Sequence, residues 1–128
     1  MSLSWYEHVI LQKYNCHGLL PPEYTLEAAV LCIAQIRLGW WQVFDYPRER
    51  VVAIVGGPGE VHIWADGGNL LRFGLLFMRD VWAHTTYLTL TGIFMDPRME
   101  RYATRLGWKY SHTGELGQRY WSISRKSS

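Results

Sequence analysis

The chain of 128 residues has few cysteines, no long apolar run and little net charge. Its two cysteines, Cys16 and Cys32, form neither a CxxC pair nor a metal-binding spacing, so we expect free thiols and no metal site. The longest apolar run extends from Ala28 to Ala34, far below the roughly 20 residues that a membrane-spanning helix needs. A net charge of +2 gives no reason to expect a nucleic-acid or membrane partner.

Several common signatures are also missing from the sequence. It contains no Gly-x-Ser-x-Gly and no Walker loop, and its five histidines are scattered. Residues 5–8 interrupt any apolar segment near the start, so we expect no signal peptide and a cytoplasmic protein. Aromatic residues, in contrast, are abundant: seven tryptophans and eight tyrosines indicate a large aromatic core or exposed rings. Trp40 and Trp41 are adjacent in a strand-like segment, so one of them should face the core.

Periodicity predicts one α/β domain over residues 1–128, with 1–23 as an arm or short helix and 125–128 as a flexible tail. Thr25 is typical of a helix N-cap, and Gly39 ends the helix that follows it. Asp96-Pro97 predicts another helix start, and Gly107 its end. A further helix is predicted over 70–84, and strands over 40–45, 51–55, 60–65, 87–95, 108–110 and 119–124.

The segment from residue 60 to residue 95 reads as a strand, a helix and a second strand. Because such units close by a right-handed crossover, we expect the strands at 60–65 and 87–95 to be parallel neighbours. The remaining strands read as antiparallel, which gives a mixed sheet flanked by helices on both faces. Within the first of the two strands, Glu60 and His62 project from one face and Val61 and Ile63 from the other.

The stretch from Asp96 to Trp108 resembles the GNAT superfamily of acyl-CoA-dependent N-acyltransferases. In that family an Asn follows the fifth strand, a helix runs on, and Leu-Gly-Phe closes it; here Asp96 stands for the Asn and Trp108 for the Phe. The order of elements from residue 25 to the last strand agrees with the family. Together with Glu60-Val61-His62-Ile63, the stretch is similar to short GNAT-like proteins of bacteriophages and prophages, some of which are described as head-assembly or virion-associated proteins.

The resemblance implies a binding site for the pyrophosphate of acetyl-CoA at the start of the helix over 70–84. Its residues would be Gly67, Gly68 and Asn69 in the loop and Arg72 in the helix. The Arg or Gln that precedes the glycines in the family has no counterpart here, and Asp66 would repel an anion. The two glycines also fit the alternative of a tight strand-to-helix turn.

The resemblance further implies a general base on the strand at 60–65, for which Glu60 and His62 are the candidates. His62 has the intrinsic pKa closer to neutral. The alternative is a structural histidine beside a solvated strand end. The family's Tyr, which protonates the leaving thiolate, falls on Ala103, and Tyr102 is rotated away from that position by about 100°.

Two functions follow from these expectations. The first is acyl transfer from acetyl-CoA to an amine of a small molecule or a protein. The second is a non-catalytic GNAT-like phage or prophage protein, virion-associated or acting in head assembly, whose partners are phage structural proteins. A homodimer is compatible with both functions.

Overall fold

The computed structural model describes residues 2–12, 25–94 and 96–126; Cys16, the part of the predicted N-terminal arm from residue 13 to residue 23, and Met95 lie outside the described residues. The described residues form four helices and six strands. The helices are α1 (Trp5–Leu11), α2 (Leu26–Arg37), α3 (Leu70–His84) and α4 (Pro97–Arg105). The strands are β1 (Trp41–Tyr46), β2 (Val51–Gly56), β3 (Glu60–Ala65), β4 (Thr89–Ile93), β5 (Lys109–Thr113) and β6 (Arg119–Ser124).

Each helix begins at a polar residue whose side chain accepts a hydrogen bond from a backbone N–H of the first turn. These N-cap residues are Ser4, Thr25, Asn69 and Asp96. The first N–H groups of a helix have no partner within it, and a side-chain oxygen at the cap satisfies one of them. The helix starts predicted at Thr25 and Asp96 are confirmed.

The six strands form one mixed sheet in the order β1-β2-β3-β4-β6-β5. β3 and β4 are parallel, and every other neighbouring pair is antiparallel. The prediction that the strands on either side of α3 are parallel neighbours is confirmed. β6 lies between β4 and β5, so the last strand along the chain is inside the sheet.

The two faces of the sheet are covered to different extents. On one face, α3 and α4 cover a core that draws on all strands but β5; it includes Phe44, Val55, Val61, Leu90, Phe94 and Trp121. On the other face, α1 and α2 pack on a second core whose strand residues are Val52, Ile54 and Trp64, with Trp41 and Val43 beside them. In the described chain, no residue of β4, β5 or β6 belongs to this second core, so that half of the face is open.

The turn after α4 takes the form that its sequence indicates. Gly107 has a φ of 101°, which an L side chain rarely adopts. Trp108, which follows it, is buried, and its indole N–H points at the sulfur of Met78 at 3.4 Å. Its ring also packs edge-on against Phe94, with 4.9 Å between ring centroids. The helix end predicted at Gly107 is confirmed.

Arg125, the first residue of the predicted flexible tail, is held by the end of α3. Its guanidinium donates to the carbonyls of Trp82, Thr85 and Tyr87 at distances of 2.7 to 3.0 Å. The same group lies over the Trp82 ring, 4.6 Å from its centroid. Arg125 thus supplies hydrogen-bond donors to carbonyls at the end of α3 and just beyond it. Among the described residues there is no helix whose length and apolar character would let it span a membrane.

Candidate functional site

Glu60 and His62 lie together on the face of β3 that was predicted for them. Nε2 of His62 is 3.7 Å from a carboxylate oxygen of Glu60, and the two side chains are 42% and 54% exposed. Val61, between them, is buried in the core on the opposite face, and Ile63 packs against that core. β3 therefore presents a histidine and a carboxylate side by side to solvent.

His62 packs against two aromatic side chains. Its ring centroid is 5.2 Å from that of Trp41, edge-on, and 6.3 Å from that of Trp64. The Trp41 indole N–H donates to Gln35 Oε1 at 3.0 Å, which fixes this ring beside the imidazole. Burial lowers the pKa of His62 below its ordinary value of 6.5, and the Glu60 carboxylate opposes this shift only in part. The imidazole is consequently neutral near pH 7 and able to accept a proton.

β3 and β4 part immediately before His62. Their parallel register joins Glu60 to Thr91 and Val61 to Gly92, and it goes no further in the described part of the chain. At the joined end, the Thr91 N–H donates to the Gly59 carbonyl at 2.9 Å. β3 nevertheless continues to Ala65 and pairs with β2 along its whole length. Within the described register, His62 and Ile63 are therefore not paired with β4.

The N-terminal end of α3, where the resemblance implies a phosphate site, is occupied by contacts within the protein. The Asn69 side chain caps the helix by accepting from the Arg72 N–H at 3.0 Å. The Arg72 guanidinium lies 3.5 Å from the carboxylate of Glu49. Asp66 pairs with Arg50 at 2.6 Å. Two carboxylates thus lie beside this helix end, each with an arginine partner.

The two glycines of this loop have different roles. A Cβ on Gly68 would lie 1.6 Å from the carbonyl oxygen of Glu49, so only glycine allows the loop to approach the β1–β2 turn. Gly67 has a φ of 66°, and a Cβ there would meet nothing within 4 Å. The tight-turn alternative accounts for both residues. The phosphate site at Gly67, Gly68, Asn69 and Arg72 stays a prediction.

Strand register aligns further polar residues with Glu60 on the open half of the sheet. Thr91 of β4 is opposite Glu60, Ser122 of β6 is opposite Thr91, and Lys109 of β5 is opposite Ser122. Local periodicity does not reveal this row, because it joins segments that are distant in sequence. The sole signal in the sequence is the alternation of threonines with apolar residues in the strand after α3.

Other chemistry has little support among the described residues. Ala103, at the position of the family's Tyr, is buried, and Tyr102 packs against the core rather than reaching β3. No group of three or more His, Cys, Asp or Glu side chains that could hold a metal occurs within residues 2–12, 25–94 and 96–126. Burial raises the pKa of the Cys32 thiol to about 11, so this thiol is poorly nucleophilic at neutral pH.

The chain matches no protein-family model, and neither a curated protein nor a solved structure shows significant similarity to it.

Proposed function

We propose that this protein is an N-acyltransferase with a GNAT-type fold, which transfers an acyl group from acetyl-CoA to an amine. The observation that carries the proposal is the early separation of two parallel strands, with His62 as the first residue of β3 beyond their last pair. Further support comes from the parallel pairing of β3 with β4 and from the resemblance of the stretch from Asp96 to Trp108 to the family. The neutral imidazole beside Glu60 supplies a base at the same place.

In this proposal the donor binds along the edge of β3 at His62 and Ile63, which have no pair with β4 in the described register. An extended chain of amides can add to an open strand edge by backbone hydrogen bonds, as a further strand would. Backbone N–H groups on that edge then stabilise the negative charge that develops on the thioester oxygen. His62 accepts the proton of the attacking amine as the C–N bond forms and the C–S bond breaks. The thiolate takes its proton from water, because Ala103 offers none.

The acceptor amine approaches from the open half of the sheet. This half borders His62 directly, since α1 and α2 cover β1 to β3 alone among the described strands. Its row of Thr91, Ser122 and Lys109 offers hydroxyl groups and one cation to the rest of the acceptor. Glu60, at the end of the row, attracts a protonated amine before the proton is lost.

A second candidate is a non-catalytic GNAT-like protein that binds structural proteins of a phage. The specific observation in its favour is the α3 N-terminus, where Glu49 and Asp66 lie beside the expected pyrophosphate position and Gly68 is required by packing. A fold can be retained after its chemistry is lost, so these contacts are compatible with a protein that works through its surface.

Ligand-induced stabilisation separates the two candidates. Acetyl-CoA at 100 times its dissociation constant should add about 2.7 kcal/mol to the free energy of unfolding. The experiment is a thermal-shift titration of the intact chain with acetyl-CoA and CoA. No shift with either compound at millimolar concentration would exclude acyl transfer from CoA and favour the binding protein.

A matched pair of variants locates the phosphates. Gly67→Asn and Gly67→Asp have nearly the same shape, and both residues tolerate a left-handed backbone better than most. If the pyrophosphate lies at this helix end, the Asp variant should lose the shift and the Asn variant should keep it. Equal shifts in the two variants would mean that the phosphates bind elsewhere, without bearing on β3.

A further inference from the structure

The outer face of α2 is apolar and exposed. Leu26, Val30, Leu31 and Leu38 are 57%, 53%, 59% and 69% exposed, although an amphipathic surface helix normally turns such residues inward. With about 100° of rotation per residue, they fall within one arc of about 140°. Contiguous exposed apolar surface of this kind marks an interaction site on a soluble protein.

The inner face of α2 is apolar as well. Ala29, Ile33 and Ile36 are buried against α1 and the sheet. A helix with apolar residues on both its inner and its outer face is normally covered on both. By comparison, α4 buries Met99 and Ala103 and carries the arginines 98, 101 and 105 on its exposed side. The exposed apolar face of α2 is therefore a feature of this helix and not of the fold's surface in general.

The charges on this face have opposite signs at its two ends. Glu27 is exposed in the first turn of α2, and Arg37 is exposed in its last turn. Both lie within the apolar arc, at positions that differ by about 80° of rotation. When two copies of such a helix pack antiparallel, the first turn of one lies beside the last turn of the other. Each Glu27 then meets an Arg37, twice by symmetry.

We propose that α2 binds a second copy of this chain, antiparallel, about a two-fold axis near the middle of the helix. Leu26 of one copy packs against Leu38 of the other, Val30 packs against Ala34, and Leu31 lies close to the axis. A two-fold interface has to be complementary to itself, and the charge pattern of α2 meets that condition. This inference is independent of the acyl-transfer proposal.

Arg37 is already oriented for this contact. Its Nε is hydrogen-bonded to the buried carboxylate of Glu7 at 2.7 Å. A guanidinium has five donors, so this contact leaves others for a second carboxylate. Fixing the side chain in advance reduces the entropy that it loses when the dimer forms.

Sedimentation equilibrium of the full chain tests the inference. At a protein concentration of about 100 μM, the measured mass should be twice that of the 15.0 kDa chain. This concentration is roughly a hundred times the micromolar dissociation constant of the weakest interfaces of ordinary size. Leu31→Glu should give a monomer. Leu116→Glu, in the β5–β6 turn at a residue that is 65% exposed, should remain a dimer. Circular dichroism and the melting temperature of each variant establish that it is folded.

The charge pattern has its own test. Glu27→Lys should weaken the dimer by about tenfold, because two ion pairs become two repulsions, and Glu27→Gln should weaken it less. A wild-type chain that is monomeric at about 100 μM, or a Leu31→Glu variant that dimerises as well as the wild type, would overturn the inference. Loss of the dimer in Leu31→Glu with no effect of Glu27→Lys would overturn the antiparallel arrangement.

Discussion

β3 and the start of α3, which the sequence assigns to one site, differ in how many internal contacts their polar side chains make. On β3, Glu60 and His62 contact each other and keep much of their surface open to solvent. At the start of α3, Asn69 caps the helix, Arg72 pairs with Glu49, and Asp66 pairs with Arg50. A polar side chain at the start of α3 has to break an internal contact before it can bind a ligand, whereas Glu60 and His62 on β3 do not.

The comparison shows that the two halves of the proposed site are not equally available to a ligand. The strand half of the proposed site has an accessible histidine beside a carboxylate and, at His62 and Ile63, backbone that is not paired with β4 in the described register. The proposed proton transfer and amide pairing need these two features. The helix half keeps its glycines, but Gly68 serves packing and the nearby charge is negative. The strand half is therefore the better guide to function. Each experiment below changes one of the two halves.

The largest effect is expected at the strand half. Removing a general base typically lowers turnover by a factor of about 100 or more, so His62→Ala should do so with any amine that the protein acylates. Glu60→Ala should lower turnover less, because Glu60 assists the base. The measurement is thiol release from acetyl-CoA over a panel of amines. Wild-type rates in the His62 variant would rule it out as the base.

The dependence of this rate on pH is a sharper form of the same test. Because burial lowers the pKa of His62, the rate should rise with pH and reach half its maximum below pH 6.5. Glu60 raises the pKa of His62, so Glu60→Gln should move the midpoint to still lower pH. A midpoint that is the same in both proteins would show that another group titrates. The protonated imidazole is disfavoured in the folded state, so stability should also fall as the pH drops below 6.5.

The next largest effect is expected at Gly68. A Cβ there overlaps the Glu49 backbone, so Gly68→Ala should lower the free energy of unfolding by about 3 kcal/mol. Gly67→Ala is the matched control: its Cβ meets no neighbour, and the left-handed backbone alone should cost about 1 kcal/mol. Urea unfolding measures both. Equal losses in the two variants would contradict the packing role of Gly68.

A smaller effect is expected at the helix cap. Asn69→Ala removes the oxygen that accepts from the Arg72 N–H and should lower stability by about 1 kcal/mol. Asn69→Asp keeps a capping oxygen and adds a charge that the helix dipole favours, so the fold should lose little. Should acetyl-CoA place its phosphates here, the Asp variant would bind it more weakly. An unchanged affinity would assign the phosphates to another part of the surface.

The smallest effect is expected at Arg72. Its side chain is 65% exposed, whereas that of Glu49 is only 11% exposed, and solvent reaches the pair from the arginine side; Arg72→Gln should therefore lower stability by at most about 1 kcal/mol. In a Glu49→Gln background, Arg72→Gln should lower the free energy of unfolding by less, because the carboxylate that pairs with Arg72 is already absent. A loss of several kcal/mol on Arg72→Gln would mean that the Arg72–Glu49 contact organises the loop rather than merely accompanying it.

Local rules predicted most of the elements of this chain. Thr25 and Asp96 mark helix starts through their own side chains, and Gly107 marks a helix end through its backbone freedom, so a short window of sequence is enough. The right-handed crossover rule for strand–helix–strand units then predicted that β3 and β4 are parallel neighbours. Glu60 and His62 share a face because strand side chains alternate.

Those local rules could not predict contacts between segments that are far apart in the sequence. The approach of Gly68 to the carbonyl of Glu49 depends on the β1–β2 turn lying at the same end of the sheet as the start of α3. Nothing in the sequence of either strand indicates that the described register of β3 and β4 consists of two pairs. One of the adjacent tryptophans was expected in the core: Trp41 packs against the second core, while Trp40 is 63% exposed. Which of the two turns inward depends on where β1 begins.

The hydrogen bonds from Arg125 to the end of α3 can form only after residue 125 has been synthesised. Until the ribosome has added this residue, the carbonyls of Trp82, Thr85 and Tyr87 lack its three hydrogen bonds, and the Trp82 ring lacks the cation over it. β6, which immediately precedes Arg125, has by then to enter the sheet between two strands made before it. A chain truncated just before residue 125 lacks these contacts, so the segment between α3 and β4 should become more accessible to proteases.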